Sequence, residues 1–212
     1  MREWLPQGYR GVCELEVKRS RFITTLARVE SEDAARDLVA DVRRTWLDAR
    51  HHCTAFVVEV PGAHPIERSS DDGEPSGTAG RPMLEVLRGA GLSQVVAVVT
   101  RYFGGVKLGT GGLVRAYSDA VSLALESAPR VRPSTSPVFE VEFSYADAAR
   151  AQDACAAQGL TVVDSDYAEA VRLRVAGDEE QLRTLAAEIV RREVTIHPRG
   201  ERLVEEPVTD DR

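Results

Sequence analysis

Val95-Val96-Ala97-Val98-Val99-Thr100-Arg101-Tyr102-Phe103-Gly104-Gly105-Val106-Lys107-Leu108-Gly109-Thr110-Gly111-Gly112-Leu113-Val114-Arg115-Ala116-Tyr117 sets the architecture of this chain. Its apolar, β-branched start predicts a buried strand over Val95–Phe103. Five glycines then interrupt any regular element. Beyond them Leu113, Tyr117, Ala120, Val121, Ala124 and Leu125 recur at three- and four-residue spacing, which predicts an amphipathic helix ending before Pro129. The apolar run at Val95–Val99 is far short of the roughly 20 residues needed to span a bilayer.

Downstream, Pro129, Pro133 and Pro137 stand among Ser and Thr, a composition that predicts a linker over 129–137. The pattern then restarts: a strand over Val138–Phe143, a helix over Asp147–Gln158 stopped by Gly159, a hairpin from Leu160–Tyr167 and Ala170–Val175, a helix over Asp178–Arg192 and a strand over Val194–His197. The order β-α-β-β-α-β is that of a ferredoxin-like domain. The tail 201–212 is acidic and aperiodic, so it is expected to fray.

Upstream, Val12–Val17 and Phe22–Val29 predict an antiparallel pair around Lys18-Arg19-Ser20. Ser31 is placed to cap a helix whose apolar stripe is Ala34, Ala35, Leu38, Val39, Val42 and Trp46. Thr54–Val60 is a third strand, residues 61–82 form a long glycine- and proline-rich loop, and Pro82 opens a short helix through Leu87. The expected fold is α+β in two domains: a mixed N-terminal domain over 1–128, the linker 129–137, a ferredoxin-like domain over 138–200 and the tail 201–212.

At 212 residues and 43% hydrophobic content, the chain has enough apolar surface for ordinary cores. The opening Met-Arg-Glu-Trp-Leu-Pro puts Glu3 and Pro6 where a secretory signal needs an apolar run, so a cytoplasmic location with no membrane association is expected. Cys13, Cys53 and Cys155 are odd in number, far apart and without a C-x-x-C pair, which argues against a disulfide framework and a zinc ribbon. The net charge of −7 is uneven: residues 1–128 hold 16 basic and 17 acidic residues, residues 129–212 hold 11 and 17. An anion-binding surface is therefore expected in the first domain.

Between a strand and a helix, Gly104, Gly105, Gly109, Gly111 and Gly112 allow tight turns and close backbone approach, and a helix start leaves N–H groups unpaired. Arg101, Lys107 and Arg115 add positive charge, and Tyr102 or Phe103 offers a face for stacking. The spacing fits neither G-x-x-x-x-G-K-[ST] nor G-x-G-x-x-G, so nucleotide hydrolysis and dinucleotide binding lack their usual support. The plainer alternative is that the glycines only let strand pack on helix while the cations are solvated.

A second constellation is Asp71-Asp72-Gly73-Glu74-Pro75-Ser76-Gly77-Thr78-Ala79-Gly80-Arg81-Pro82. Asp71, Asp72 and Glu74 are oxygen donors of the kind that hold Mg²⁺, Ser76 and Thr78 are hydroxyl groups able to act as nucleophiles or phosphate donors, and Arg81 is a cation. The spacing is not that of a calcium loop, and most short acidic clusters in loops are solvated or cap a helix or turn, so no metal and no cofactor is expected. His52 and Cys53 adjoin on a strand and point to opposite faces, which disfavours a Cys–His pair.

Four strings, Lys18–Ile23, Ala49–Ala55, Asp71–Pro82 and Arg101–Tyr117, resemble the sequence blocks of the YigZ/IMPACT family, in the same order. Residues 137–200 resemble the ferredoxin-like C-terminal domain of its bacterial members. The resemblance implies a main domain similar to domain IV of elongation factor G and a second similar to domain V. It implies a link to translation: eukaryotic relatives engage the activator of a kinase that phosphorylates an initiation factor, and nucleic-acid or ribosome binding is inferred for bacterial members from their fold. The eukaryotic relatives carry a different second domain, so their partner does not transfer.

The expected function is a non-enzymatic binding protein that engages RNA, the ribosome or a translation-factor surface through 101–117. One alternative is a hydrolase or phosphoryl-handling enzyme that uses Asp71, Asp72 and Glu74 with Lys107. A second is a protein-interaction adaptor without nucleic acid.

Overall fold

The computed structural model describes residues 2–208. The chain divides into two compact units: one reaches to Arg132 and takes up the chain again at Glu206, and the other is Pro133–Glu205.

The first unit is an antiparallel sheet of β1 (Arg10–Val17), β2 (Ser20–Arg28), β3 (His51–Val58), β4 (Ile66–Ser70) and β5 (Val95–Tyr102), in the order β1-β2-β5-β3-β4. Helix α1 (Glu32–Thr45) covers one face, and α2 (Gly80–Gly89) and α3 (Gly109–Glu126) cover the other. The central strand explains the apolar run. Val96 and Val98 pack with Val42 under α1, while Val95, Ala97 and Val99 pack with Leu87, Leu113 and Tyr117 under α2 and α3. A strand buried on both faces has no polar side, so alternation disappears. Ser31 caps α1 by accepting from Ala34 N at 3.1 Å. The β1–β2 turn has two residues, Lys18 and Arg19, both at positive φ, as the twist of a two-residue hairpin requires.

The second unit orders β6 (Val131–Phe143), β7 (Thr161–Tyr167), β8 (Val171–Ala176) and β9 (Ile196–Pro207) as β7-β8-β6-β9, with α4 (Tyr145–Ala157) and α5 (Glu179–Val190) packed on one face. This is the ferredoxin-like arrangement expected from the element order. The other face is an ion-pair lattice. Glu140 accepts from Arg199 at 2.7 Å and Arg174 at 3.2 Å, Arg174 reaches Asp164, and Arg172 lies between Glu142 and Asp166.

Three expectations are corrected. The stretch read as a linker, 129–137, holds the start of β6: Val131 exchanges two backbone hydrogen bonds with Trp4, and Pro137, which has no N–H to donate, accepts from Gly177 N. Proline is tolerated there because the ladder with β8 begins only at Val138. The long loop 61–82 contains the edge strand β4, whose side chains are mostly solvated and so give no apolar signal. In the tail, residues 201–207 continue β9, and 209–212 lie outside the described residues. Among the described residues no helix is long and apolar enough to cross a membrane.

Candidate functional site

The four strings singled out in the sequence converge at one end of the first sheet. Ser20, at the start of β2, accepts from Gly104 N at 3.1 Å. A Cβ on Gly104 would overlap the carbonyl carbon of Arg19, so only glycine lets the β1–β2 turn and the chain leaving β5 touch backbone to backbone. His51, at the start of β3, is paired with Arg101, and its Nδ1 lies 2.8 Å from the carbonyl oxygen of Asp72.

Beneath the surface the two principal loops are joined by a buried chain of polar contacts. Arg101 donates to Glu74 Oε1 at 2.6 Å, and the Tyr117 hydroxyl donates to the same oxygen at 2.9 Å. Cys53 Sγ lies 3.3 Å from that hydroxyl and 3.0 Å from Asp71 O. Burial pushes the Cys53 thiol up to about 12 and moves the Tyr117 hydroxyl up as well, so both are held neutral. Phe22 packs edge-on against the Tyr117 ring, with centroids 5.2 Å apart.

The acidic loop is spent on structure. Asp71 accepts from the backbone N–H groups of Gly77, Ala79 and Gly80 at 2.7, 2.9 and 2.9 Å, which caps α2. Burial raises its pKa, but those three bonds outweigh it and hold the carboxyl below the ordinary value. Asp72 pairs with Arg43 and accepts from His52 N. Glu74 is 9% exposed and belongs to Arg101 and Tyr117. Thr78 is buried and donates to Pro75 O, and Ser76 and Arg81 are exposed. Thus Asp71, Asp72 and Glu74 face three separate sets of partners, and among the described residues none of them is paired with Lys107. Among the described residues no group of three or more His, Cys, Asp or Glu is placed to hold a metal ion.

The glycine segment splits into an inner and an outer part. Arg101 departs from the expectation that it adds charge to an exposed anion surface: it is 7% exposed and matched by Glu74. Its position on the central strand, on the face shared with Val99, places it under α3. Tyr102 is half-buried, and its hydroxyl donates to Asp48 at 2.6 Å. The outer part is Phe103, Gly105, Val106, Lys107, Gly109, Thr110, Gly111, Val114 and Arg115, all exposed; Gly104 and Gly112 are half-buried.

Helix α3 begins at this surface without a cap. Leu108 makes no side-chain cap bond, and the first turn holds no acidic residue. The first N–H groups of an 18-residue helix therefore face outward with the positive end of its dipole. Lys107 and Arg115 flank that turn, and neither has a carboxylate partner among the described residues; the same holds for Lys18 and Arg19 in the β1–β2 turn. Helix α2 supplies the contrast, since the Asp71 carboxylate already occupies its N-terminus. A capping role is among the readings of the acidic cluster, but sequence reasoning does not single out Asp71 for it and misses that Arg101 is neutralised by Glu74. Only the spacing of Asp71 from Gly77–Gly80 could have signalled the first, as a side chain capping a helix from a distant turn.

The comparisons with known proteins agree with this architecture. The Impact N-terminal domain model matches residues 18–125, and a domain of unknown function matches residues 141–192. The chain is 40% identical over 176 residues to the IMPACT family member YigZ of Escherichia coli strain K12, covering 83% of this chain and 86% of that one. It is 36% identical over 171 residues to the IMPACT family member YvyE of Bacillus subtilis strain 168, covering 81% and 78%. The crystal structure of a hypothetical protein superposes with a TM-score of 0.59 at 36% identity, covering 93% of this chain and 97% of that one. A first unit matched across the glycine segment and acidic loop, and relatives aligned over both units, make this chain a member of the IMPACT family.

Proposed function

We propose that the protein is a non-enzymatic, translation-linked regulator that engages RNA, on the ribosome or free, through the outer part of the glycine segment. The observation that supports this best is the exposed, uncapped first turn of α3 between two unpaired cations, Lys107 and Arg115. Phosphates suit such a turn because backbone N–H groups and the helix dipole act on one anion, and flanking lysine and arginine add sequence-independent attraction. The family supports the link to translation, and the net charge of −7 favours a local contact over wholesale coating of nucleic acid. The enzymatic alternative loses support because its carboxylates are engaged in capping α2 and in pairs with Arg43 and Arg101.

Ultraviolet crosslinking in intact cells, followed by RNA sequencing and mass spectrometry of the crosslinked peptides, tests this function. Ribosomal or messenger RNA attached to a peptide containing 103–115 is expected. Recovery of protein partners without RNA would favour the adaptor.

A further inference from the structure

Beside the phosphate surface lies a cleft that phosphate binding alone leaves unused. Asp48 and Arg50 from the α1–β3 turn, His51 at the start of β3, and Arg101, Tyr102 and Phe103 at the end of β5 line a cavity of about 360 Å³. That volume lies at the lower end of the range that holds a small ligand.

Its lining is specific in chemistry. Phe103 is 57% exposed, although a phenyl ring gains nothing from water, and the Arg101 guanidinium lies 5.8 Å from its centroid. Arg50 is exposed and has no carboxylate partner among the described residues. Because a carbonyl only accepts, His51 Nδ1 donates to Asp72 O, and in that tautomer Nε2 is the accepting nitrogen. Asp48 takes the Tyr102 hydroxyl on Oδ1, and its second oxygen accepts no hydrogen bond from the described residues. The cleft thus offers a flat apolar face, one free cation and two acceptors.

These features select among ligands. A free inorganic anion would use Arg50 and leave the ring and both acceptors unused. The carboxylates of an acidic peptide would likewise use only Arg50, since they bring no N–H groups to the acceptors. A nucleotide matches all of them: its base stacks on the ring, its ring and exocyclic N–H groups meet the acceptors, and its phosphate meets the guanidinium. A base locked in a duplex cannot present its face, so the strand must be single at this point. Phe103 directly precedes Gly104, so the cleft adjoins the glycine segment in the chain.

We propose that this cleft holds one unpaired nucleotide of an RNA strand, with the base against Phe103 and its phosphate against Arg50. The proposal rests on the phosphate-binding function above and adds a preference for single strands that phosphate contacts alone do not give. The second unit has a cavity that Arg172, Arg192, His197 and Arg199 line with Glu140, Glu142 and Glu193, but it has no Phe, Tyr or Trp in its lining for a base to stack on, and Arg199 is paired with Glu140.

The test uses the full chain and a fluorescent RNA of about 12 nucleotides, within the span of single-strand sites. Affinities are measured for the single strand and for the same strand in a duplex. Phe103→Ala should weaken single-strand binding about 5- to 150-fold and leave the duplex unchanged, whereas Phe103→Tyr should retain binding. Arg50→Gln should lower the salt slope by about one. Nucleoside monophosphates should displace the strand at lower concentrations than inorganic phosphate. Thermal melts establish that each variant is folded. Equal loss on single strand and duplex, equal competition by inorganic phosphate, or undiminished binding by folded Phe103→Ala overturns the cleft. If Lys107→Ala with Arg115→Ala weakens binding while Phe103→Ala does not, the phosphate surface stands and the cleft fails. If the wild type binds no RNA, both fail.

Discussion

Glu74 meets Arg101 at 2.6 Å in the interior of the first unit and thereby ties the acidic loop to the strand that leads into the glycine segment. Each is over nine-tenths buried. Two sequence blocks that stand far apart in the chain are in this sense one structural joint, and the chemistry left to the surface is that of the residues outside it.

Breaking the joint from one side leaves a buried charge without a partner. Arg101→Met alone should cost about 3–5 kcal/mol of folding stability, and Glu74→Leu alone a similar amount. The double variant should recover part of the loss, because no isolated charge remains. Chemical denaturation of the three variants measures this, and strictly additive losses would contradict the pairing.

Two glycines of the same segment should behave oppositely. At Gly104 a methyl group would collide with the Arg19–Ser20 backbone, so Gly104→Ala should cost about 1–3 kcal/mol. At Gly111 a Cβ would meet nothing within 4 Å, and φ is not positive, so Gly111→Ala should stabilise α3 by about 0.5–1 kcal/mol. Thermal melts distinguish the two. Any loss of RNA binding in the stabilised Gly111→Ala variant would then report close approach of the ligand.

Cys53 should be inert in the native protein. Burial pushes its thiol up to about 12, far from the range in which a thiolate reacts. A thiol reagent at neutral pH should label it only on unfolding, as followed by mass spectrometry of its peptide. Native-state labelling at the rate of the denatured chain would contradict the described packing.

The second unit should carry an acid-sensitive element at Glu140. Its carboxyl is lowered from 4.5 to about 2, chiefly by the hydrogen bond from Arg199 and then by that from Arg174, working against burial. The resulting stability is fully present above the unfolded value of about 4.5 and is lost as pH falls toward 2. Glu140→Gln should flatten that part of the stability curve, measured by denaturation at stepped pH. An unchanged acid limb would contradict the ion-pair lattice.

Much of the architecture was legible in local pattern. The run Val95–Val99 announced the central strand, Ser31 announced α1, and the β-α-β-β-α-β order announced the second unit. Strand β4 was hidden because an edge strand needs backbone pairing more than apolar side chains, and Ile66–Ser70 has one apolar residue. The prolines at 133 and 137 resembled a linker because the sequence does not reveal which N–H groups a ladder requires. At the site, the exposed cations Lys107 and Arg115 were visible as residue types. The neutralisation of Arg101 was not, since Glu74 lies 27 positions away and only the tertiary fold brings them together.

In the proposed function Lys107 and Arg115 contact phosphates beside the first turn of α3. The most direct measurement is the affinity of the full chain for single-stranded RNA at several salt concentrations, for the wild type and for Lys107→Ala with Arg115→Ala. Both side chains are exposed, so the double variant should fold normally, bind more weakly across unrelated sequences, and show a slope of log affinity against log salt that is smaller by about one to two. Wild-type binding without salt dependence, or a double variant with an unchanged slope, would contradict it.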